Sequence, residues 1–462
     1  MRIEATRRDV AWGYLGTLFS MASNFVLLPF LVWGLSGDAL GLWYVFLAVN
    51  GFVTLFEFGF GPTFARNIAF CWSGARSLSR EGAGGDLGDD VSVPLFANLL
   101  AVCRRVYLRV TLAVLAVLAL PGTAYILYVS RALSLEIVLV SWALFCGATL
   151  LNMYFLYFGS LLRGVGKIEA ENKIKVISRS VQVVVSACLL GLGAGLVGAC
   201  LGYVAYSLVY RVFCHRAFWG DSEIKRLGVS SMRPPVEEVR ELYKTVSYNA
   251  RRDGLVQVAN YASTQASTLV SSLFLSLSET GAYSIGLQFA TAIGNIALSY
   301  LTSQRPTMQS AYQRHEMGDV RRIVGNSLII YILLSLMGTA CVLFVAYPLM
   351  LLLHMGQSFE PEVFLCIELY MFIFNLTALF CNVLANMNVI PYMKSYVVAA
   401  VLSVALSAFL AGPMSWGVWG LVAGMLLAQC CFNAWYWPRY TLRVVGCTAR
   451  EALKIGLRGR KA

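Results

Sequence analysis

The sequence predicts an all-α, polytopic membrane protein of about twelve transmembrane helices, arranged as two six-helix lobes around a central cleft. Three observations carry this prediction. The 462 residues are 58% hydrophobic and only 13% charged, whereas a soluble domain needs roughly 25% charged residues to solvate its surface. Mean hydropathy is +0.68, and the charges collect between long apolar runs. The basic residues also fall in alternate connections, as they do when Lys and Arg stay on the cytoplasmic side.

A helix needs roughly 20 apolar residues to cross about 30 Å of hydrocarbon. In chain order such runs lie at 10–34, 40–64, 106–129, 137–161, 176–191 and 195–213, then at 246–275, 281–304, 327–353, 362–388, 395–411 and 417–437. Backbone groups in lipid must be satisfied within their own segment, so these runs are helices rather than strands. The first follows a polar, basic start (Arg2, Arg7, Arg8) and is long enough to span, so it reads as a retained helix and not a cleavable signal. The fifth is short, and the seventh is interrupted by Arg251, Arg252 and Asp253. With the amino terminus inside, all but Arg131 of the 36 Lys and Arg residues fall on the cytoplasmic side, which places both termini there. The outer turns are short. The inner connection from Gly74 to Asp90, rich in Gly and Asp, is expected to be mobile.

A second inner connection, from Gly220 to Glu241, contains Arg233-Pro234-Pro235 and divides the chain into lobes 1–232 and 233–462. Six is an even number, so both lobes enter from the cytoplasm and would be related by an axis along the membrane normal. A weak echo accompanies this. The second span opens Gly41-Leu42-Trp43-Tyr44 and ends Gly61-Pro62, with Arg66 shortly after; the eighth opens Gly281-Ala282-Tyr283-Ser284 and ends Gln304-Arg305-Pro306.

Several function classes are excluded. The net charge of +12 belongs to topology, and with no basic motif on a soluble domain no nucleic-acid partner is expected. Most of the twelve cysteines lie inside apolar runs, no CxxC pair occurs, and His215, His315 and His354 are scattered. Buried cysteine behaves as a small hydrophobe, so no metal site, disulfide or cofactor is expected. Gly193-Ala194-Gly195-Leu196-Val197-Gly198 matches a dinucleotide fingerprint formally, but it sits at an outer turn with no strand before it. No phosphate-binding GxxxxGK[ST] loop and no catalytic triad is present, so the chain reads as neither an ATPase nor another enzyme.

The stretch from Gly41-Leu42-Trp43 through Leu55-Phe56-Glu57-Phe58-Gly59-Phe60-Gly61, followed by Arg66, resembles the second helix of bacterial polysaccharide flippases of the O-antigen type. These belong to the multidrug/oligosaccharidyl-lipid/polysaccharide exporter superfamily. Gly164-Val165-Gly166-Lys167, Gly281-Ala282-Tyr283-Ser284 and Arg305-Pro306 are similar to later signatures, although Glu57 stands where that family often has Asp. The resemblance implies a multi-pass protein of the bacterial cytoplasmic (inner) membrane. It would carry undecaprenyl-pyrophosphate-linked oligosaccharide from the inner to the outer leaflet for surface polysaccharide biosynthesis. It also implies a polymerase and an initiating glycosyltransferase as pathway neighbours.

Charges within spans are costly, about 2.5–3.5 kcal/mol at mid-helix, and each is a candidate site residue. Glu57 and Asp253, with Glu368 in the tenth span, are candidate ion-coupling or cavity carboxylates; the alternative is an acid paired structurally with a neighbouring helix. Arg66, Arg251, Arg252 and Arg305 sit at the inner mouths of their spans, where guanidinium can grip pyrophosphate bidentately or merely snorkel and mark topology. Asp253, Gln257, Asn260, Thr264, Ser267 and Ser271 recur at three- and four-residue steps and form one polar face, suited to sugar hydroxyls or to gluing helices together. Asn24, Asn50 and Gln288 are further candidates for the same cavity. Three rival readings stay open, one of them a flippase for the peptidoglycan precursor, although those typically have additional spans beyond twelve. A cation-coupled multidrug antiporter of the same superfamily would need a cavity dominated by carboxylates. A membrane glycosyltransferase or polymerase would need a large outer loop.

Overall fold

A computed structural model describes residues 7–458 apart from 73, 79–89, 230–231, 233, 305–307, 309–311, 313–315, 353–358 and 388–390. At 7–11, 13–15, 17–18, 20–21, 62, 66, 248–257, 259–260, 303 and 458 only the backbone is described. Most of the Gly74–Asp90 connection therefore lies outside the described residues.

Two compact units, Met1–Val258 and Ala259–Ala462, make up the chain. The first contains α1 (Arg7–Gly34), α2 (Gly37–Thr54), α3 (Phe60–Trp72), α4 (Val93–Val117), α5 (Thr123–Val129) and α6 (Leu135–Tyr154). It continues with α7 (Tyr157–Gly164), α8 (Ile168–Gly191), α9 (Gly195–Trp219) and α10 (Ser222–Leu227). Helix α11 (Val236–Thr264) carries the chain into the second unit. There follow α12 (Ala266–Phe274), α13 (Leu277–Ser303), α14 (Met317–Cys341), α15 (Tyr347–Leu352), α16 (Pro361–Asn386), α17 (Met393–Ala411), α18 (Gly417–Cys431), α19 (Asn433–Val445) and α20 (Ala449–Arg458).

Ten helices or helix pairs among the described residues are long and apolar enough to cross a membrane. In chain order, α1 precedes them and α11 with α12 stands between the first five and the last five. Several helices outrun their apolar runs. Helix α8 begins at Ile168, well before the run at 176–191, because its first turns hold Glu169, Glu171, Lys173 and Lys175 and Glu171 is buried there against partners. Hydropathy stops where lipid stops; the helix continues because its polar residues find protein.

The two units share their irregularities. Helix α4 runs 25 residues and then widens into a five-residue π turn at Leu118–Gly122 before continuing as α5. Helix α14 also runs 25 residues and widens at Val342–Ala346 before α15. A proline lies in or just after each wide turn (Pro121, Pro348), where its missing N–H releases a carbonyl. In the first case the Leu118 carbonyl accepts from both the Thr123 N–H and the Thr123 hydroxyl, the latter at 3.0 Å.

The last two candidate spans of each unit also follow one design. Gly198 and Gly202 let α9 close on α8, where a side chain at Gly198 would meet Leu189 at 3.0 Å. Gly420 and Gly424 let α18 close on α17, where a side chain at Gly420 would strike the Leu410 and Ala411 backbone at 2.7 and 2.8 Å. Small residues four apart open a groove that lets helix backbones touch, which is how helices associate when lipid removes the hydrophobic drive. The Ser407 hydroxyl donates to Leu421 O at 2.8 Å across the second of these seams.

Candidate functional site in each unit

The second span is discontinuous at the residue singled out from the sequence. After α2 the chain tightens into a 3-10 turn at Leu55–Glu57, then passes through Phe58 and Gly59, both left-handed (φ 46° and 70°), and restarts as α3. A left-handed Phe costs about 1–2 kcal/mol, so the surroundings must hold the break. They do so through Glu57. Its Oε1 accepts from the Tyr107 hydroxyl at 2.5 Å, and the carboxylate accepts from the Gly61 N–H at the start of α3. An acid at a helix N-terminus is favoured by the unpaired N–H groups there. Gly61 leaves room for it, and the Ser160 hydroxyl donates to Gly61 O at 3.0 Å from α7. The guanidinium groups of Arg163 and Arg211 act on the same carboxylate.

Arg211 is itself buried, 6% exposed, and its burial follows from a second break. The fourth span parts between α6 and α7, where the Phe155 carbonyl accepts from the Phe158 N–H at 3.2 Å and has a second lone pair free for Arg211. Arg211 donates to Phe155 O at 3.0 Å and to Asn152 Oδ1 at 3.1 Å, and lies over the Tyr210 ring at 4.7 Å. Asn152 in turn donates to Ser207 Oγ at 2.6 Å and to the Tyr203 hydroxyl at 3.4 Å, and Tyr203 donates to Asn50 Oδ1 at 3.2 Å. Tyr203, Tyr206 and Tyr210 stack along α9 with ring centroids 6.1 and 5.8 Å apart. Arg179, half-buried on α8, lies over Tyr206 at 4.5 Å and donates to Gln182 Oε1 at 2.7 Å. At the start of α8 Glu171, 2% exposed, meets Lys175 at 3.0 Å and Arg163 at 3.5 Å and accepts from Tyr210.

The second unit presents a different picture. Glu368 on α16 is 7% exposed, and its Oε2 has no hydrogen-bond partner among the described residues. The Thr339 hydroxyl lies beside it, and Tyr331 is close enough to interact with it electrostatically, but the Tyr331 hydroxyl donates to Phe372 O at 2.7 Å. No Lys or Arg acts on Glu368 among the described residues.

The remaining sequence candidates are less gathered. Asn24 is exposed on α1. Arg66 lies on α3, and Arg251, Arg252, Asp253, Gln257 and Asn260 lie on the single helix α11; the side chains of all six lie outside the described residues. Arg305 falls outside the described residues altogether. The polar face of the seventh span is broken at Gln265, so Ser267 and Ser271 belong to a separate helix, α12, where both are buried. Sequence reasoning passed over Arg163, Arg179, Arg211 and Asn152. The available signal was Tyr203, Tyr206, Tyr210 and Arg211 at three- and four-residue steps, with Arg179 inside the preceding helix.

No protein-family model matches the sequence, and no curated protein matches it. Solved structures do match over almost the whole chain. A multidrug resistance MATE family transporter of the MOP superfamily in its inward-facing conformation is 13% identical, covers 96% of this chain and 99% of its own, and gives a TM-score of 0.71. The lipid II flippase MurJ in an inward closed conformation is 10% identical over 96% of this chain and 90% of its own, with a TM-score of 0.65. A MOP superfamily transporter from Pyrococcus furiosus, described by a binding pocket of reverse polarity, is 13% identical over 96% of each chain, with a TM-score of 0.58. At these identities the likeness is one of fold, and the chain is a multi-pass, all-helical membrane protein with the fold of the MATE transporters and of the lipid II flippase MurJ.

Proposed function

We propose that the chain is a flippase for an anionic, glycan-bearing lipid. It would carry undecaprenyl-pyrophosphate-linked oligosaccharide from the inner to the outer leaflet of the bacterial cytoplasmic membrane by alternating access. The observation that carries this reading is the Arg179–Tyr206 pair within the buried arginine and tyrosine array of the first unit. Arg211 is engaged by two acceptors and a ring, so it builds the array. Arg179 donates to Gln182 through NH1, which leaves donors for a phosphate oxygen, and guanidinium suits bidentate phosphate recognition. Asn and Tyr side chains beside it offer partners for sugar hydroxyls. Arg66, Arg251, Arg252 and Arg305 would add cationic contacts at the inner mouth, and a polymerase and an initiating glycosyltransferase would act in the same pathway. Moving one negative charge outward across an inside-negative membrane releases about 2.3 kcal/mol per 100 mV, so the potential favours export.

The second reading, a cation-coupled multidrug antiporter, rests on Glu368, a buried carboxylate with no cationic partner among the described residues. Deletion of the gene in its source organism, with lipid-linked oligosaccharides quantified by leaflet, separates the two. Accumulation facing the cytoplasm with loss of surface polysaccharide is expected, restored by the wild-type gene and not by Arg179→Ala or the Arg251/Arg252 double charge reversal. Unchanged polysaccharide with heightened sensitivity to cationic drugs would instead make it a drug exporter.

A further inference from the structure

The second unit carries a cavity of about 230 Å³ at the end away from its carboxyl-terminal helix, lined by Glu279, Glu360, Trp416, Trp419, Tyr283 and Ser415 among others. The charge alternation makes this the outer end. These residues come from three separate segments: the start of α13, the start of α16, and the turn from α17 to α18. Two of the three are held for a local reason. Glu279 closes a capping box, its Oε2 accepting from Ser276 N at 2.9 Å and from Ser276 Oγ at 2.8 Å. The turn passes through Ser415 and Gly417, both left-handed (φ 55° and 59°), which flank Trp416. It is pinned by Ser415 N–H to Gly412 O at 2.9 Å and Trp416 N–H to Leu410 O at 3.1 Å. A left-handed serine is a strained choice, and strain of this kind persists where the surroundings fix a side chain in place.

We infer that this cavity holds a sugar ring of the glycan as it arrives at the outer face, the Trp416 and Trp419 faces taking the C–H surface of the ring and the Glu279 and Glu360 carboxylates accepting its hydroxyls. The inference rests on the flippase reading and adds to it an exit site. The two tryptophans are each about half exposed (54% and 50%). A tryptophan that only anchors the bilayer interface needs no acid beside it and no concave wall; here two carboxylates and two indoles converge on one hollow. Among the described residues no Lys or Arg lines it, so it repels the pyrophosphate and selects a neutral or amino sugar. The volume lies below the roughly 300–1,000 Å³ of pockets for drug-sized ligands, which also disfavours a drug as occupant. Carboxylates are acceptor-only when ionised and can take several hydroxyl protons at once.

The test uses the full chain in lipid nanodiscs with oligosaccharides made by partial hydrolysis of the source organism's own surface polysaccharide, and reads saturation-transfer NMR on the sugar. Wild type should transfer saturation to the ring protons. Trp419→Ala with Glu360→Gln should reduce it at least fivefold, while Trp419→Phe, which keeps an aromatic face, should retain most of it. Equal transfer in the wild type and the double variant, or none in either, would overturn the exit site. Displacement of the sugar by tetraethylammonium would likewise overturn it, by making the cavity a cation site. The leaflet assay on the deletion strain is read separately, so an export defect with no sugar in this cavity sinks the exit site alone, and absence of any export defect sinks the flippase reading.

Discussion

Glu57 in the first unit and Glu368 in the second both stand inside spans, but the two acids live in opposite company. Glu57 accepts from a tyrosine hydroxyl and from the Gly61 N–H at a helix N-terminus, and two guanidinium groups act on it electrostatically without an ion pair. Glu368 has a threonine hydroxyl beside it, and one of its oxygens is unpartnered among the described residues. The units otherwise share the π turn that follows α4 and α14 and the glycine seams that join α8 to α9 and α17 to α18. The comparison teaches that a common helical frame leaves the chemistry of its interior free. In one unit the acid is part of the framework that keeps arginines in the membrane. In the other it has a threonine hydroxyl beside it and no Lys or Arg acting on it among the described residues.

The strongest way to break this contrast is to remove the framework. Arg211→Ala removes two charge-assisted hydrogen bonds, to Asn152 Oδ1 and to the Phe155 carbonyl, and should cost about 3–5 kcal/mol, at roughly 1.5–3 kcal/mol for each bond. Thermal unfolding of the purified protein in detergent checks this, with Arg211→Lys expected to recover only part, because one ammonium cannot replace the planar fork. Next in size, Glu57→Gln should destabilise by about 1–3 kcal/mol, since the charged acceptor of Tyr107 and of the α3 N-terminus is lost. The matching Glu368→Gln should leave unfolding unchanged or raise its midpoint, because no ion pair is broken. If both variants melt alike, the contrast between the units is wrong.

Arg179→Ala separates function from framework. Its contact with Tyr206 is half-exposed and should be worth about 0.5–1 kcal/mol, so stability should fall little while export of the lipid-linked glycan falls at least tenfold. Arg179→Lys, which keeps the charge without the bidentate fork, should export at an intermediate rate. The smallest effect is expected from Tyr206→Phe, which retains the ring beneath Arg179; it should leave unfolding within about 0.5 kcal/mol of wild type. A large loss of export in that variant would mean that the hydroxyl, not the ring, meets the cargo.

Glu57 and Glu368 were legible because an acid in an apolar run is expensive wherever it points. Arg163, Arg179 and Arg211 were not, because each sits where an apolar run gives out, and a cation there looks like a topology marker. Helix α8 shows why: it continues below the apolar run, so a residue counted as a loop cation is in fact on a buried helix face. The break at Phe58-Gly59 was equally hidden, since glycine is frequent in membrane helices and only the placement of Glu57 and Tyr107 makes this one a discontinuity.

Composition and hydropathy by themselves determined that the chain is a helical, multi-pass membrane protein, because transfer of side chains to lipid is a local, additive cost that a one-dimensional count can sum. Which polar groups are satisfied is not additive. Arg211 finds its carbonyl because the fourth span breaks at residue 155, and Glu57 finds its tyrosine 50 residues along the chain. Glu368 finds no ion pair among the described residues, although its sequence setting is no less polar. Partners of that kind are set by how helices pack side by side, and only the tertiary structure decides them.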